Sequence, residues 1–363
     1  MMPLRLSVLD QSPVPEGASA AQALANTVEL ARHAERLGYV RYWLAEHHAT
    51  RGLAGSAPEV LIAHVAASTS RIRVGSGGVM LPHYSPLKVV EQFRVLHALH
   101  PGRIDLGLGR APGSDQLTAV ALQRDRAQPP ADDFAQQMAE LLAWMEDGEG
   151  FPPDHPFRRV EATPVTPGRP EVWLLSSSGW SAVAAAQLGL SFCFASFINP
   201  DAVSDSIALY RQHFQPTGAL DSPRATLAVS VVCAETDADA ERLASSVRVW
   251  RRRNRAGQQG PVPTVEEAMA ELGPPRPQPG RMLVGGPERV ADGLRALAGD
   301  HGLDEIMVVT ITHDHGARMR SYELLAGELG LEPPLPGVDE GALLAGAGRD
   351  GRQGAEGLGD PAT

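Results

Sequence analysis

The sequence predicts an α/β protein, a (β/α)8 TIM barrel with insertions, from three observations. Strand-like apolar runs alternate with helix-period segments, making about eight pairs in roughly 330 residues. Ionisable and small polar residues sit where those runs end, the edge at which barrels and open α/β sheets do chemistry. No Gly-x-Gly-x-x-Gly opens the first helix, which weakens the runner-up, a doubly wound open sheet. The run Gly107-Leu108-Gly109-Arg110-Ala111-Pro112-Gly113 follows a strand, but its spacing is wrong and Pro112 interrupts it.

The elements follow in order. After the strand Leu4 to Leu9, Ala20 to Leu37 carries a helical apolar period and stops at Gly38, a C-cap signal. Tyr39 to Ala45 reads as a strand, Pro58 to Thr69 as a helix, and Ile72 to Val74 as a strand running on into Gly75-Ser76-Gly77-Gly78-Val79-Met80. Pro86 opens a helix to Leu99 at its first turn, and a strand follows from Arg103 to Gly107. The second half repeats the scheme, with helices at Asp132 to Met145, Trp180 to Gln187, Ala202 to His213, from Ala238, Pro287 to Ala298 and His315 to Leu329. Its strands are Val172 to Leu175, Phe192 to Ala195, Thr226 to Cys233 and Glu305 to Val309. Residues 256–280, rich in Pro and Gly, read as an excursion without a clear helix. One barrel domain over 1–333 is expected, with 256–280 as a lid or insertion loop and 334–363 as a disordered tail.

Composition removes several function classes. Formal charge is −11, and the one basic run, Arg251-Arg252-Arg253, is too short for a nucleic-acid face. Cys193 and Cys233 lie inside apolar runs and read as buried thiols in a reducing compartment. No secretory leader pattern and no apolar run of about 20 residues is present, so a soluble cytoplasmic protein without membrane contact is expected.

If the strands close into a barrel, their ends converge on one mouth. Tyr42-Trp43-Leu44-Ala45-Glu46-His47-His48 ends a strand in three ionisable residues; a surface loop and a metal fragment are the competing readings. Neighbouring histidines on extended chain point to opposite sides, which disfavours a shared metal. Ser176-Ser177-Ser178-Gly179 leads into the helix at Trp180. It reads either as ordinary serine capping or, with Arg110 at the neighbouring strand end, as a phosphate site. Gly75, Gly77 and Gly78 weaken a strand, so they mark a bulge or tight packing, or a wall that a flat ring such as flavin approaches with Val79, Met80 and Leu81. His313-Asp314-His315 reads first as a helix cap and second as metal-binding; no His-Glu-x-x-His or Gly-x-Ser-x-Gly occurs, and no metal site is expected.

Several of these segments resemble the bacterial luciferase-like flavin monooxygenase superfamily, in its alkanal monooxygenase-like group. They are Trp43 through His48, Val74 through Pro82, Pro86 through Gln92 and Gly102 through Arg110, with the resemblance running in order over residues 4 to 330. It implies a (β/α)8 barrel binding FMN at the mouth, with Arg110 and Ser176, Ser177, Ser178, Gly179 and Trp180 on the phosphate. The ring would rest on Gly77, Gly78, Val79 and Met80, beside a non-proline cis peptide at Gly77-Gly78 or Gly78-Val79. His47 would be catalytic, with Glu46 and His48 as its supports. The implied reaction uses reduced FMN from a separate flavin reductase and O2, through a C4a-peroxyflavin, to oxygenate a small organic substrate, such as a natural-product intermediate. A homodimer is implied as well. Hydride transfer with the deazaflavin F420 on the same barrel is the second reading, and a non-catalytic flavin-binding or partner subunit the third.

Overall fold

The computed structural model describes residues 4–110, 115–122, 133–217, 220–273 and 282–332. The tail expected after residue 333 and residues 274–280 of the excursion lie outside the described residues. Eight parallel strands close on themselves, as a (β/α)8 barrel requires. They are β1 (Arg5–Asp10), β2 (Arg41–Leu44), β3 (Arg73–Ser76), β5 (Ile104–Gly109), β6 (Glu171–Ser176), β7 (Ser191–Ala195), β8 (Ala225–Cys233) and β10 (Glu305–Val309). Closure is made by β10, which pairs with β1 on one side (Val8 opposite Val308) and β8 on the other (Val309 opposite Ser230). Two short strands extend this set: β4 (Val79–Met80) beside β5, and β9 (Leu283–Gly285) beside the end of β8.

Helices α1 (Ala20–Leu37), α2 (Pro58–Ser68) and α3 (Pro86–Leu99) begin and end within one residue of the sequence expectation, and α4 (Gln116–Leu122), α5 (Phe134–Met145), α6 (Gly179–Gln187) and α7 (Val203–His213) follow in chain order. The boundary signals act as read. Ser19 accepts the Gln22 N–H at the start of α1, and Gly38 ends it in the left-handed region at φ 89°. Outward-facing strand residues such as Leu6, Val8, Tyr42, Leu44, Leu227 and Val229 pack under the helix ring. Inward-facing residues form a separate cluster that includes Leu9, Trp43, Trp173, Cys193, Ala228 and Met307. The rings of Trp43 and Trp173 meet edge to face, 5.1 Å apart. They occupy space left by a glycine wall. A Cβ on Gly75 would fall 2.6 Å from Asp105 Cβ, one on Gly77 would fall 2.4 Å from Leu9 Cδ1, and one on Gly107 would fall 2.1 Å from the Ser76 carbonyl oxygen. Gly107→Ala is therefore expected to destabilise the barrel by about 1–3 kcal/mol, seen as a lower urea midpoint; an unchanged midpoint would contradict this packing.

The amino-terminal end of the barrel is filled by charge, which the sequence did not announce. Asp105 accepts hydrogen bonds from Arg41 (2.8 Å), Trp43 Nε1 (2.9 Å) and Arg73 Nε (2.9 Å), while Arg41 Nε also donates to Glu305 at 3.1 Å. The guanidinium carbons of Arg41 and Arg224 lie 4.9 and 4.8 Å from the Trp173 ring centroid.

The other departure concerns β8. The helix expected from Ala238 is α8 (Asp237–Arg255), but it is not the barrel helix of its strand; α10 (Pro287–Asp300), which leads into β10, fills that place. Helix α8 instead lies across the carboxyl end. It starts beside Gly286, whose N–H donates to Asp237, and by Trp250 it has reached Gly260 and the loop after β2, a run of about 20 Å at 1.5 Å per residue. The excursion continues into α9 (Val265–Leu272), so the expectation that it holds no clear helix is corrected. Thr264 accepts the Glu267 N–H there, and the Thr-x-x-Glu pattern was the available signal. Ala240, Ala244 and Val247 of α8, with Trp250 and Val262, share a small apolar core with Leu53, Val232, Val284 and Ile311. Backbone bonds tie this cap down: Glu16 N–H to Val262 O and Val262 N–H to Val14 O, both 2.8 Å.

Candidate active site

Alternation along β2 decides where each residue of Glu46-His47-His48 points. Arg41 and Trp43 face the barrel interior and Ala45 joins the interior cluster, whereas Tyr42 and Leu44 face the helices. Continuing the alternation sends His47 inward and Glu46 and His48 away. The hydrogen bonds agree. Glu46, buried at 2% exposure, accepts from the Tyr84 hydroxyl (2.6 Å), His48 Nε2 (2.7 Å) and the Met80 N–H (2.9 Å). Burial and then the Glu46 carboxylate hold the Tyr84 phenol well above its ordinary pKa, so it stays a donor. Glu46 thus clamps the end of β2 to β4 and the turn that follows.

Among the described residues His47 is held by its backbone, whose N–H donates to Gly55 O at 2.8 Å. Its Nδ1 is buried and finds no partner among the described residues. Burial, with His48 as the smaller cause, pushes its imidazole down to about 4. The ordinary imidazole value near neutrality therefore does not hold here: at pH 7 His47 is an uncharged ring, able to donate or accept a hydrogen bond but weak as a base. Because the folded value lies below the ordinary 6.5, the unfolded chain takes up this proton first, and stability is lost as pH falls from about 6.5 towards 4. An NMR titration of the His47 ring is expected to show its midpoint near 4; a midpoint above about 6 would refute the assignment.

The peptide Gly77-Gly78 is cis, at one of the two positions expected. Gly75 and Gly77 are accounted for by packing against Asp105, Trp43 and Leu9, and a Cβ on Gly78 would meet the backbone of Gly107. Val79 and Met80 pair with Leu108 and Gly109 as β4, and both are buried. Along this wall Gly109 is the position with space: among the described residues a Cβ there would meet only Val79 O, at 3.9 Å.

The two halves of the expected anion site come together. Arg110, just past β5, places its guanidinium carbon 4.6 Å from the ring centroid of Trp180, which is 46% exposed in the first turn of α6 (Gly179–Gln187). Ser178 is the N-cap residue of α6 by position, yet its side chain makes no capping bond. Instead Ser176 Oγ accepts the Ser178 N–H at 2.9 Å, and Asn199 donates to the Ser177 carbonyl at 3.1 Å. Serine capping, the ordinary explanation of this turn, is not what these serines do.

At His313-Asp314-His315 the cap reading describes the geometry. Asp314 accepts the Ala317 N–H at 2.6 Å, and His313 Nε2 lies 3.1 Å from Glu16 O. Clefts of about 540 Å³ beside the cap, lined by Glu16, Trp250, Arg253 and Glu271, and of about 330 Å³, lined by Leu87, Trp144 and Phe157, lie elsewhere. The positions of His47, Arg110 and the serine turn, which follow β2, β5 and β6 at the same end of the barrel, rather than cleft size, mark the candidate site.

Fold and mouth place the protein among (β/α)8-barrel enzymes that work at the carboxyl ends of their strands. Comparison with known proteins narrows that class: the chain belongs to the luciferase-like monooxygenase family, whose model matches residues 2–305. It is 43% identical to a luciferase-like monooxygenase of Escherichia coli K12, over 88% of this chain and 96% of the relative. It is 38% identical to the N-acetyl-S-alkylcysteine monooxygenase of Bacillus subtilis, over 89% and 97%. Among solved structures, apo-MsnO8 superposes with a TM-score of 0.84 at 44% identity, covering 91% of this chain and 99% of that one.

Proposed function

We propose that the protein is an FMN-dependent monooxygenase that takes reduced flavin from a separate reductase, uses O2, and oxygenates a small organic substrate in the cytoplasm. The observation that carries this reading is Arg110 stacked on Trp180 beside a helix start that its serines leave uncapped. A phosphate monoester on a flat cofactor suits a guanidinium and the N–H groups of a helix start. The space at Gly109, beside the cis Gly77-Gly78 peptide and β4, suits the ring, and Arg110, Ser176, Ser177, Ser178, Gly179 and Trp180 would hold the phosphate. Bound reduced flavin supplies the electrons that activate O2 for transfer of one oxygen atom.

The chain's own residues bind, orient and keep the site dry. His47, neutral and directed inward, offers one hydrogen bond at the reacting end. Glu46 fixes the strand end that carries His47 through Tyr84 and Met80. The α8–α9 cap shields the mouth from water. The Bacillus relative's name, N-acetyl-S-alkylcysteine monooxygenase, supports a substrate with a nucleophilic sulfur. A homodimer is proposed through adjacent α2 and α3, where Val60, Val95 and Leu99 are 64%, 46% and 63% exposed.

Arg110→Met is expected to weaken FMN binding by about 10–100-fold, the worth of a charge-assisted hydrogen bond, while leaving riboflavin, which lacks the phosphate, unaffected. Fluorescence titration measures both; equal losses would remove Arg110 from the phosphate site. Binding of F420 in preference to FMN would replace oxygenation with hydride transfer, and flavin binding without O2 consumption would leave a non-catalytic subunit.

A further inference from the structure

The underside of α8 changes character along its length. Ala240, Ala244 and Val247 pack onto the strand ends Val232, Val284 and Ile311. Four and seven residues after Val247, the same helical face presents Arg251 and Asn254. Arg251 reaches down and donates to Ser230 Oγ at 2.9 Å. Ser230 is 2% exposed and lies two residues beyond Ala228, so it belongs to the interior-facing series of β8, at the level of Val309. A cation carried by the cap is therefore held at the rim of the barrel interior by a buried hydroxyl. Asn254 Oδ1 is buried, with no hydrogen-bond partner among the described residues. A buried amide oxygen without a donor is costly, and a ligand N–H would remove that cost.

We propose that Arg251, set in place by Ser230, and Asn254 form the polar end of the substrate site and select a substrate bearing a carboxylate beside an N–H, as in an N-acylated amino acid. The guanidinium matches a carboxylate by its planar fork, and the Asn254 amide oxygen accepts the neighbouring N–H. This rests on the oxygenase reading and extends the role of the cap, which carries the specificity group while strand ends and α6 carry the cofactor. Substrate selection and cofactor binding then reside on separate parts of the chain.

The test compares N-acetyl-S-methyl-L-cysteine with its methyl ester, by calorimetric titration of the full chain with FMN present. The acid is expected to bind at least about tenfold more tightly than the ester. Arg251→Met should abolish that preference while leaving the FMN dissociation constant unchanged. Ser230→Ala, which keeps the charge but removes its anchor, should narrow the preference, and Asn254→Leu should weaken acid and ester alike. Equal binding of acid and ester to the wild-type protein, binding of neither, or an unchanged preference in Arg251→Met would overturn the proposal. Failure of FMN to bind the wild-type chain is a separate result and counts against the oxygenase reading; the acid and ester comparison is then made on the protein without flavin.

Discussion

His47→Ala is expected to bind FMN as the wild-type protein does and to lose about 10²–10³-fold in oxygenation turnover, the range for loss of one positioned hydrogen-bonding group. The separation follows from geometry. The proposed phosphate contacts lie at the ends of β5 and β6, whereas His47 continues the interior face of β2. Its side chain makes no hydrogen bond at Nδ1 within the described residues, so removing it breaks none there. Glu46 keeps Tyr84, His48 and Met80 in either case. Steady-state O2 consumption with a flavin reductase, beside an FMN titration, reads both quantities. Turnover within a factor of about two of wild type would take His47 out of the mechanism. His47→Asn, which restores a neutral hydrogen-bonding group, should recover part of the loss.

Asp105→Ala is expected to cost about 3–5 kcal/mol of folding stability, the penalty for leaving a buried charge network without one partner. Burial alone would raise the Asp105 pKa, but Arg41 and Arg73 outweigh it and bring the carboxyl down to about 2. Its folded value lies below the ordinary 3.8, so its contribution is present above about pH 3.8 and is lost as pH falls towards 2. Removing it leaves Arg41, 4% exposed, to Glu305 and Glu171, and strips Trp43 Nε1 of its acceptor. Urea unfolding at pH 7 measures the loss; a change under about 1 kcal/mol would mean that this layer only fills space. Trp43 carries the effect towards the mouth, because the same side chain limits the space at Gly75 and Gly77.

Much of the candidate site could be read before the chain was folded. Glu46-His47-His48 ends an apolar run, and strand periodicity alone separates the inward His47 from its neighbours. Gly77-Gly78 was one of two positions expected for the cis bond, and it is found there. The serine turn and Arg110 were legible as candidates, but their meeting depends on the neighbouring places of β5 and β6 and on the Trp180 ring. The lowered pKa of His47 was not legible, because an ordinary value assumes a solvated ring and enclosure by the folded chain removes that water.

The sequence by itself determined the alternation of strands and helices, most of their boundaries, and the chemical groups that end each strand. These are local properties, written within a few residues by apolar period, caps and turn formers. Only the tertiary structure decided the rest. Arg41, Asp105, Glu171, Arg224 and Glu305 are scattered along the chain, and nothing in their spacing announces a common layer beneath two tryptophans. The apolar stripe of α8 required burial but did not say against what. Packing across the carboxyl end, rather than outside β8, turned an expected barrel helix into a cap and carried Arg251 to Ser230. A stripe encodes how much surface must leave water, and only closure of the barrel sets which surface receives it.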